Sequence, residues 1–258
     1  MPANYTFHRF GADALRRLPG SAQQPIQRFR RMYNGGLHGT DLFFYFSPMA
    51  ATPVGRLYGS FAGMTGETFF ARAAEHLKKN PSEGGTACLY GLLAWYCLNS
   101  QLAPLLNEAV SDGVLHRVEL EVELDRYLLG LDGKTPAHTQ DISSLLKLTQ
   151  GECVTLSGFY PPATPANVLT AQRKMVRWTR RMASRKRWFV KLLLKLTRKD
   201  FRYQLMADHA NHKCLHLDKP MLECYERALE MYPEMAQRLT QFLKNGTPLG
   251  EDFSHPIA

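Results

Sequence analysis

The sequence predicts an all-α protein, and three features lead to that class. Apolar residues make up 45% of the 258 positions and charged residues 21%, as in an ordinary globular domain. Apolar side chains recur every three to four residues over several long segments, which is helical spacing. Pro, Gly and Asn-Gly pairs separate these segments where helices commonly stop. Because the chain has no repeat, low-complexity tract or obvious linker, one domain over residues 1–250 is the simplest expectation.

The predicted helices follow one another along the chain with short breaks. They are Ala12–Leu18, Pro25–Tyr33, Gly66–Lys79, Thr86–Leu102, Asp141–Leu148, Ala166–Thr197 and Met221–Leu243. Two further apolar segments, Gly39–Phe46 and Cys153–Tyr160, are each followed by proline. The segment Thr86–Leu102 is apolar on nearly every side, so we expect it at the centre of the core. We expect residues 251–258 to form a tail.

The helix stops are predicted from glycine. Asn34-Gly35-Gly36 is expected to end the second helix, and Asn245-Gly246 the last one. The segment Val114–Leu129 differs from its surroundings, because apolar residues alternate with Glu119, Glu121 and Glu123. By its period alone this segment predicts a strand.

The cysteine count and the start of the chain bear on the compartment. Five cysteines, an odd number, do not suggest a disulfide framework, and the first residues lack the apolar stretch of a signal peptide. No apolar run approaches the length needed to cross a bilayer. We therefore expect a cytoplasmic protein that is able to lie at the inner face of the membrane.

The net charge of +9 is concentrated in one segment. Residues 173–202 contain 13 Lys or Arg and one acid, Asp200, a net charge of +12, which leaves −3 for the rest of the chain. Such a segment indicates an anionic partner, which can be phospholipid, nucleic acid or an acidic protein.

Bulky apolar residues lie within this basic segment, as in helices that bind the surface of an anionic membrane. The predicted anion- and membrane-binding residues are Arg177, Trp178, Arg180, Arg181, Arg185, Lys186, Arg187 and Trp188. The alternative is a core helix with a basic outer face. Nucleic acid fits the charge alone, and no recognition motif supports it. A protein partner is unidentified.

Common catalytic motifs are missing from the sequence. There is no phosphate-binding loop, no GxSxG, no HExxH and no CxxC pair. His209, His212 and His216 are spaced for one helical face, but their polar neighbours favour a solvated surface over a metal site.

Several motifs in order nevertheless resemble a known family. They are Tyr5-Thr6 with Phe10-Gly11, Gly39-Thr40-Asp41-Leu42-Phe43-Phe44-Tyr45, Gly66 with Phe69-Phe70, Gly91 to Ser100, and Glu121 with Asp125-Arg126-Tyr127. Together they resemble bacterial cytoplasmic members of the zinc-dependent phospholipase C family over about residues 1–130. The resemblance implies an all-α domain of the phospholipase C and single-strand nuclease type. It also implies that the alternating segment is a helix, with Glu121 and Asp125 on one face.

The resemblance further implies a zinc cluster that activates water for phosphodiester hydrolysis, yet most ligand positions are substituted. Only Asp41 and Glu121 are retained; the other positions hold Phe7, Ala62, Trp95, Asn99, Ala103 and Arg117. Since a catalytic zinc ion needs about three protein ligands, two carboxylates do not hold a cluster. We therefore expect no metal or other cofactor and no activity.

Two alternatives remain open from the sequence. A rebuilt site of His8, Asp41, His116 and Glu121 would bind zinc and hydrolyse a phosphodiester. Otherwise Arg117, in place of a ligand histidine, supplies the positive charge and pairs with Asp41 or Glu121. Arg117 and Glu121 are also spaced for a simple exposed i,i+4 pair. The first alternative is a hydrolase; the second is a non-catalytic relative that binds an anionic lipid or another partner.

Overall fold

The computed structural model describes residues 4–47, 49, 52–61, 63–197, 199–207 and 209–257. This part of the chain is all-α, and an antiparallel bridge between Thr65 and Pro256 is the only β-type pairing within it. The helices are α1 Asn4–Arg17, α2 Gly20–Arg28, α3 Arg30–Gly36, α4 Pro53–Ser60, α5 Gly66–Lys79, α6 Glu83–Ala109, α7 Arg117–Leu131, α8 Gln150–Ser157, α9 Pro165–Met182, α10 Arg187–Lys195, α11 Lys199–Arg202 and α12 Leu215–Asn245. Short 3₁₀ helices lie at Gly39–Tyr45, Ala137–Thr139, Ser143–Leu146 and Glu251–Phe253.

Helix α6 is the centre of the core, as its all-round apolar sequence predicts. Its N-cap is Ser82, whose hydroxyl accepts a hydrogen bond from the Gly85 amide at 3.0 Å. Helices α1, α3 and α12 pack against it. At the α3 contact the backbones nearly touch, since a Cβ on Gly91 would lie 2.0 Å from the Tyr33 carbonyl oxygen. Only glycine at position 91 permits that approach.

Helix α7 replaces the strand that the alternating pattern alone predicts, in agreement with the family resemblance. Its acidic side chains Glu121, Glu123 and Asp125 are buried rather than solvated. Asp125 accepts hydrogen bonds from the backbone N–H groups of Tyr5 and Thr6, at 3.2 and 2.7 Å. Because these are free N–H groups in the first turn of α1, Asp125 fixes the start of α1 to α7.

Helix α5 has the predicted bounds, Gly66–Lys79. The bounds of other helices differ from the predicted ones. The second predicted helix is divided at Phe29 into α2 and α3, and α3 continues through Gly36 instead of stopping before it. Gly36 lies against the backbone of α6, where a Cβ would come within 2.2 Å of the Cys88 carbonyl oxygen. This glycine therefore serves helix packing.

Two further expectations need correction. The predicted helix Ala166–Thr197 is interrupted at residues 183–186, which separates α9 from α10. The segment expected to be a tail is packed, because Phe253 and Ile257 are fully buried. The Phe253 ring stacks on Tyr96 with centroids 5.8 Å apart, so residues 251–257 complete the core beside α5 and α6.

Candidate functional site

The retained carboxylates Asp41 and Glu121 lie within the same buried region. Asp41 comes from the 3₁₀ helix Gly39–Tyr45 and Glu121 from α7, and each residue is 1% exposed. Burial, with a smaller contribution from the charge of Asp41, raises the pKa of Glu121 to about 7 although the nearby Arg117 lowers it. Burial also raises the pKa of Asp41. The structure thus brings together the two carboxylates that the sequence analysis singled out.

Trp95 occupies one former ligand position and bonds to Asp41. Its indole Nε1 donates to Asp41 Oδ2 at 2.9 Å. Gly39 makes room for the indole, because it has a φ of +46° and a Cβ there would lie 2.2 Å from the ring. A large donor ring therefore fills space where the family resemblance implies a metal ligand.

Arg117 pairs with Glu121, as one of the sequence alternatives predicts. The Arg117 Nε lies 3.1 Å from Glu121 Oε1, and Nη1 donates to Asn107 Oδ1 at 3.0 Å. The Arg117 side chain is a quarter exposed while that of Glu121 is 2% exposed. The ion pair is therefore partly buried, between the exposed and the fully buried alternatives. Through its bond to Asn107, Arg117 also connects α7 to the end of α6.

The other former ligand positions hold no His, Cys, Asp or Glu. Phe7 is buried and apolar, and Ala103 is half-buried. Asn99 is buried, and neither atom of its amide has a hydrogen-bond partner among the described residues. Glu121 Oε2 is likewise without a hydrogen-bond partner there. Ala62 lies outside the described residues.

The histidines of the rebuilt-site alternative have other neighbours. His8 Nε2 lies 3.2 Å from His38 Nε2, a buried pair that the sequence analysis missed because the two residues are 30 positions apart. Burial, reinforced by the charge of Arg30, lowers the pKa of His8 to about 3. His116 caps α7 through Nδ1, which accepts from the Val118 amide at 3.2 Å, and its ring stacks on Tyr203.

The donor set does not fit a zinc cluster. Within the described ranges, no group of three or more His, Cys, Asp or Glu side chains is arranged to hold a metal ion. This holds for His209, His212 and His216 as well, of which only His216 lies on a helix, α12. The site therefore consists of carboxylates that accept hydrogen bonds from an indole and a guanidinium.

The second candidate site is the basic segment. Arg177, Arg180 and Arg181 are exposed on α9, and Arg185 and Lys186 are exposed between α9 and α10. Two residues of the predicted set differ. Trp178 is 6% exposed and packs against Phe201, because it lies on the buried face of α9. Arg187 is half-buried, and its guanidinium donates to the Met206 carbonyl oxygen.

Helix α10 exposes an apolar face that the predicted set contains only in part. Trp188 is 70% exposed, Leu196 65%, Leu192 53% and Phe189 45%. The opposite face buries Val190 and Leu194 in the core. The spacing of Phe189, Leu192 and Leu196, three and then four residues apart, is the sequence signal that reveals this outer face.

Basic side chains accompany the exposed apolar face. Lys191 and Lys195 are exposed on the same helix, and Arg185 and Lys186 are exposed in the segment just before it. We call these four cations, together with Trp188, Phe189, Leu192 and Leu196, the α10 surface. Among the helices of the described residues, none combines the length and apolar composition that crossing a bilayer requires.

Comparison of the chain with protein-family models, curated proteins and solved structures yields no match.

Proposed function

We propose that this protein is a non-catalytic relative of the zinc-dependent phospholipases C that binds anionic phospholipid surfaces through the α10 surface. The observation that carries the proposal is the exposure of Trp188, Phe189, Leu192 and Leu196 beside four exposed cations. Contiguous exposed apolar side chains are uncommon on soluble monomers and often mark an interaction site.

The chemistry of the α10 surface matches the interface of an anionic membrane. Burying one large apolar side chain contributes about 1.5–3 kcal/mol, and each cation near an anionic leaflet about 1 kcal/mol. Tryptophan suits the headgroup region because its ring is apolar and its N–H is polar. Val190 and Leu194 fix α10 to the core, so the surface needs no refolding to reach a membrane.

The non-catalytic part of the proposal is supported by the buried carboxylates. A metal-activated water would require at least three ligands around one ion. Here Trp95 donates to Asp41 and Arg117 pairs with Glu121, so a donor ring and a fixed cation stand at two ligand positions. These contacts offset part of the cost of burying the two carboxylates.

Co-sedimentation with vesicles tests the proposal. We expect binding to vesicles with about 40% phosphatidylserine, whose surface is strongly negative, and little binding to vesicles of pure phosphatidylcholine. Equal sedimentation with both vesicles, or with neither, contradicts the proposal.

Matched variants locate the interaction. Trp188→Ser/Leu192→Ser removes two apolar contacts, and Lys191→Gln/Lys195→Gln removes two charges, so each double variant should bind at least about tenfold more weakly. Lys78→Gln/Lys79→Gln removes two exposed charges from α5 and should bind like the wild type. Single-stranded DNA serves as a second anionic probe. If it binds tightly, and if Trp188→Ser/Leu192→Ser keeps full affinity for both vesicles and DNA, charge alone explains binding. The membrane proposal then fails.

A further inference from the structure

Helix α9 exposes four arginines that are not part of the α10 surface. They are Arg173, Arg177, Arg180 and Arg181. Since a helix rises about 1.5 Å and turns about 100° per residue, the four positions lie within about 100° of its circumference and over about 12 Å of its length. We call these four side chains the α9 stripe.

The opposite face of α9 fixes the helix to the body of the protein. Val168, Met175 and Trp178 are buried there. The side chain of Gln172 is buried as well, and its Nε2 donates to the Leu146 carbonyl oxygen at 2.8 Å. Binding at the α9 stripe would therefore order only arginine side chains, which keeps its entropic cost low.

The arginines of the α9 stripe have few partners among the described residues. Arg180 lies 3.7 Å from the Asp141 carboxylate, and both side chains are well exposed. Arg181 lies over the Trp178 ring, with its guanidinium carbon 5.2 Å from the ring centroid. Because an exposed ion pair is weak, these contacts leave the guanidinium N–H groups available to another anion. The geometry of those N–H groups matches the oxygens of a phosphate.

The chemistry of the α9 stripe differs from that of the α10 surface. Exposed large apolar side chains accompany the cations of α10, whereas α9, all of whose residues the structure describes, exposes none. Its aromatic residue, Trp178, is 6% exposed. This face of α9 thus has no apolar anchor for a membrane and no ring on which an unpaired base would stack. It suits a polyanion that stays in water and keeps its bases paired.

We propose that the α9 stripe binds the phosphate backbone of double-stranded nucleic acid without reading its sequence. A duplex carries about one negative charge per 1.7 Å of its axis, a higher density than that of one strand. Arg173, Arg177 and Arg181 follow one another at about 6 Å along the helix, so each can reach a different phosphate. Contacts to phosphates position a protein but carry no sequence information. The proposal goes beyond membrane binding and does not depend on it.

Fluorescence anisotropy with labelled DNA duplexes of about 20 base pairs tests the proposal without lipid. For two unrelated sequences we expect equal dissociation constants on the order of 1–100 µM at about 0.15 M salt, the range of non-specific binding. A single strand with the same number of phosphates should bind about threefold more weakly or worse, because its charge density is lower. Trp188→Ser/Leu192→Ser should bind the duplex like the wild type, since the α10 surface is not involved.

Two double variants of the α9 stripe measure its phosphate contacts. Arg173→Gln/Arg177→Gln removes two charges and keeps long, helix-forming side chains, so the protein should unfold at the wild-type temperature. The slope of log affinity against log salt should become shallower by about 2, because each phosphate contact contributes about 0.9. Arg180→Gln/Arg181→Gln should change the slope equally. Arg28→Gln/Arg31→Gln, which removes two exposed arginines from α2 and α3, is the matched control and should leave the slope unchanged.

Four results would overturn the proposal. They are no binding at about 1 mM protein, tighter binding of the single strand, a strong preference for one duplex sequence, and equal changes of slope in the stripe and control variants. A duplex affinity that falls in Trp188→Ser/Leu192→Ser would place binding on the α10 surface instead. If the stripe variants keep duplex affinity and lose vesicle binding, the α9 stripe belongs to the membrane surface and the proposal is wrong, while the membrane function stands.

Discussion

Burial shifts the pKa values of acidic and basic side chains in this protein in opposite directions, because it disfavours the charged form of each. Burial raises the pKa of the Glu121 and Asp125 carboxyl groups to about 7 and lowers that of His8 to about 3. The carboxylates have donors, Arg117 for Glu121 and the start of α1 for Asp125. The His8–His38 pair has a different chemistry, since one neutral ring donates to the other and no acid is bonded to either among the described residues.

The histidine pair should make the protein sensitive to acid. Because the pKa of His8 is lower in the folded than in the unfolded protein, the unfolded chain binds more protons below about pH 6.5, and stability is lost as the pH falls toward 3. His38 shifts in the same direction by burial. The raised carboxyl groups act oppositely, losing stability as the pH rises from about 4 to 7, but they are common to wild type and variant.

We therefore expect His8→Gln/His38→Gln, which retains one amide–amide hydrogen bond, to lose less stability than the wild type between pH 6.5 and 4.5. Each histidine steepens the wild-type loss by up to about 1.4 kcal/mol per pH unit. Urea unfolding at pH 7.5, 6.0 and 5.0 measures the difference. Free energies that fall in parallel for the two proteins would show that the pair does not carry this acid sensitivity.

At the level of elements, periodicity and caps were enough where a helix has one apolar face. Helix α5 follows its pattern of Phe69, Phe70, Ala73, Ala74 and Leu77, all of them buried. The spacing of apolar residues predicted a strand instead of helix α7, because its carboxylates alternate with apolar residues as the polar side of a strand would. Here only the resemblance gave the correct structure. The stop signal Asn34-Gly35-Gly36 contains the end of α3, but Gly36 also makes a contact with α6 that the local sequence does not encode.

In the candidate sites, too, contacts between residues close in sequence were predictable, whereas contacts that depend on tertiary packing were not. The Arg117–Glu121 contact is local, four residues apart on one helix, and was predictable. The His8–His38 contact and the inward direction of Trp178 depend on tertiary packing, so spacing along the chain did not reveal them.

The contact between α3 and α6 makes Gly91 a sensitive position. In Gly91→Ala the new methyl group would lie 2.0 Å from the Tyr33 carbonyl oxygen, a backbone atom that moves only if the helices separate. We expect a loss of about 2–3 kcal/mol in the free energy of unfolding, measured with urea. Gly130→Ala in α7 is the matched control: nothing lies within 4 Å of its Cβ, so it should be neutral or gain up to about 1 kcal/mol. Equal effects of the two substitutions would contradict the close approach.

The whole molecule combines an acidic body with a basic segment. Residues 173–202 carry +12 and the remainder −3, and the exposed cations of α9 and α10 belong to that segment. Such a charge distribution orients the protein toward an anionic surface before contact. The apolar side chains of the α10 surface act only on contact. Steering and anchoring therefore depend differently on salt.

This difference gives the last prediction, which concerns the wild type and the two α10 double variants on anionic vesicles. Screening shortens the reach of charges from about 10 Å at 0.1 M salt to about 3 Å at 1 M, whereas apolar burial persists. Wild-type binding should fall steeply with salt and level off at a residual value. Lys191→Gln/Lys195→Gln should bind more weakly at 0.1 M yet meet the wild-type curve at 1 M. Binding of Trp188→Ser/Leu192→Ser should fall as steeply with salt as that of the wild type, but it should not level off at a residual value. Salt curves measured by co-sedimentation that are flat for the wild type, or that reach zero for all three proteins, contradict a surface that uses both forces.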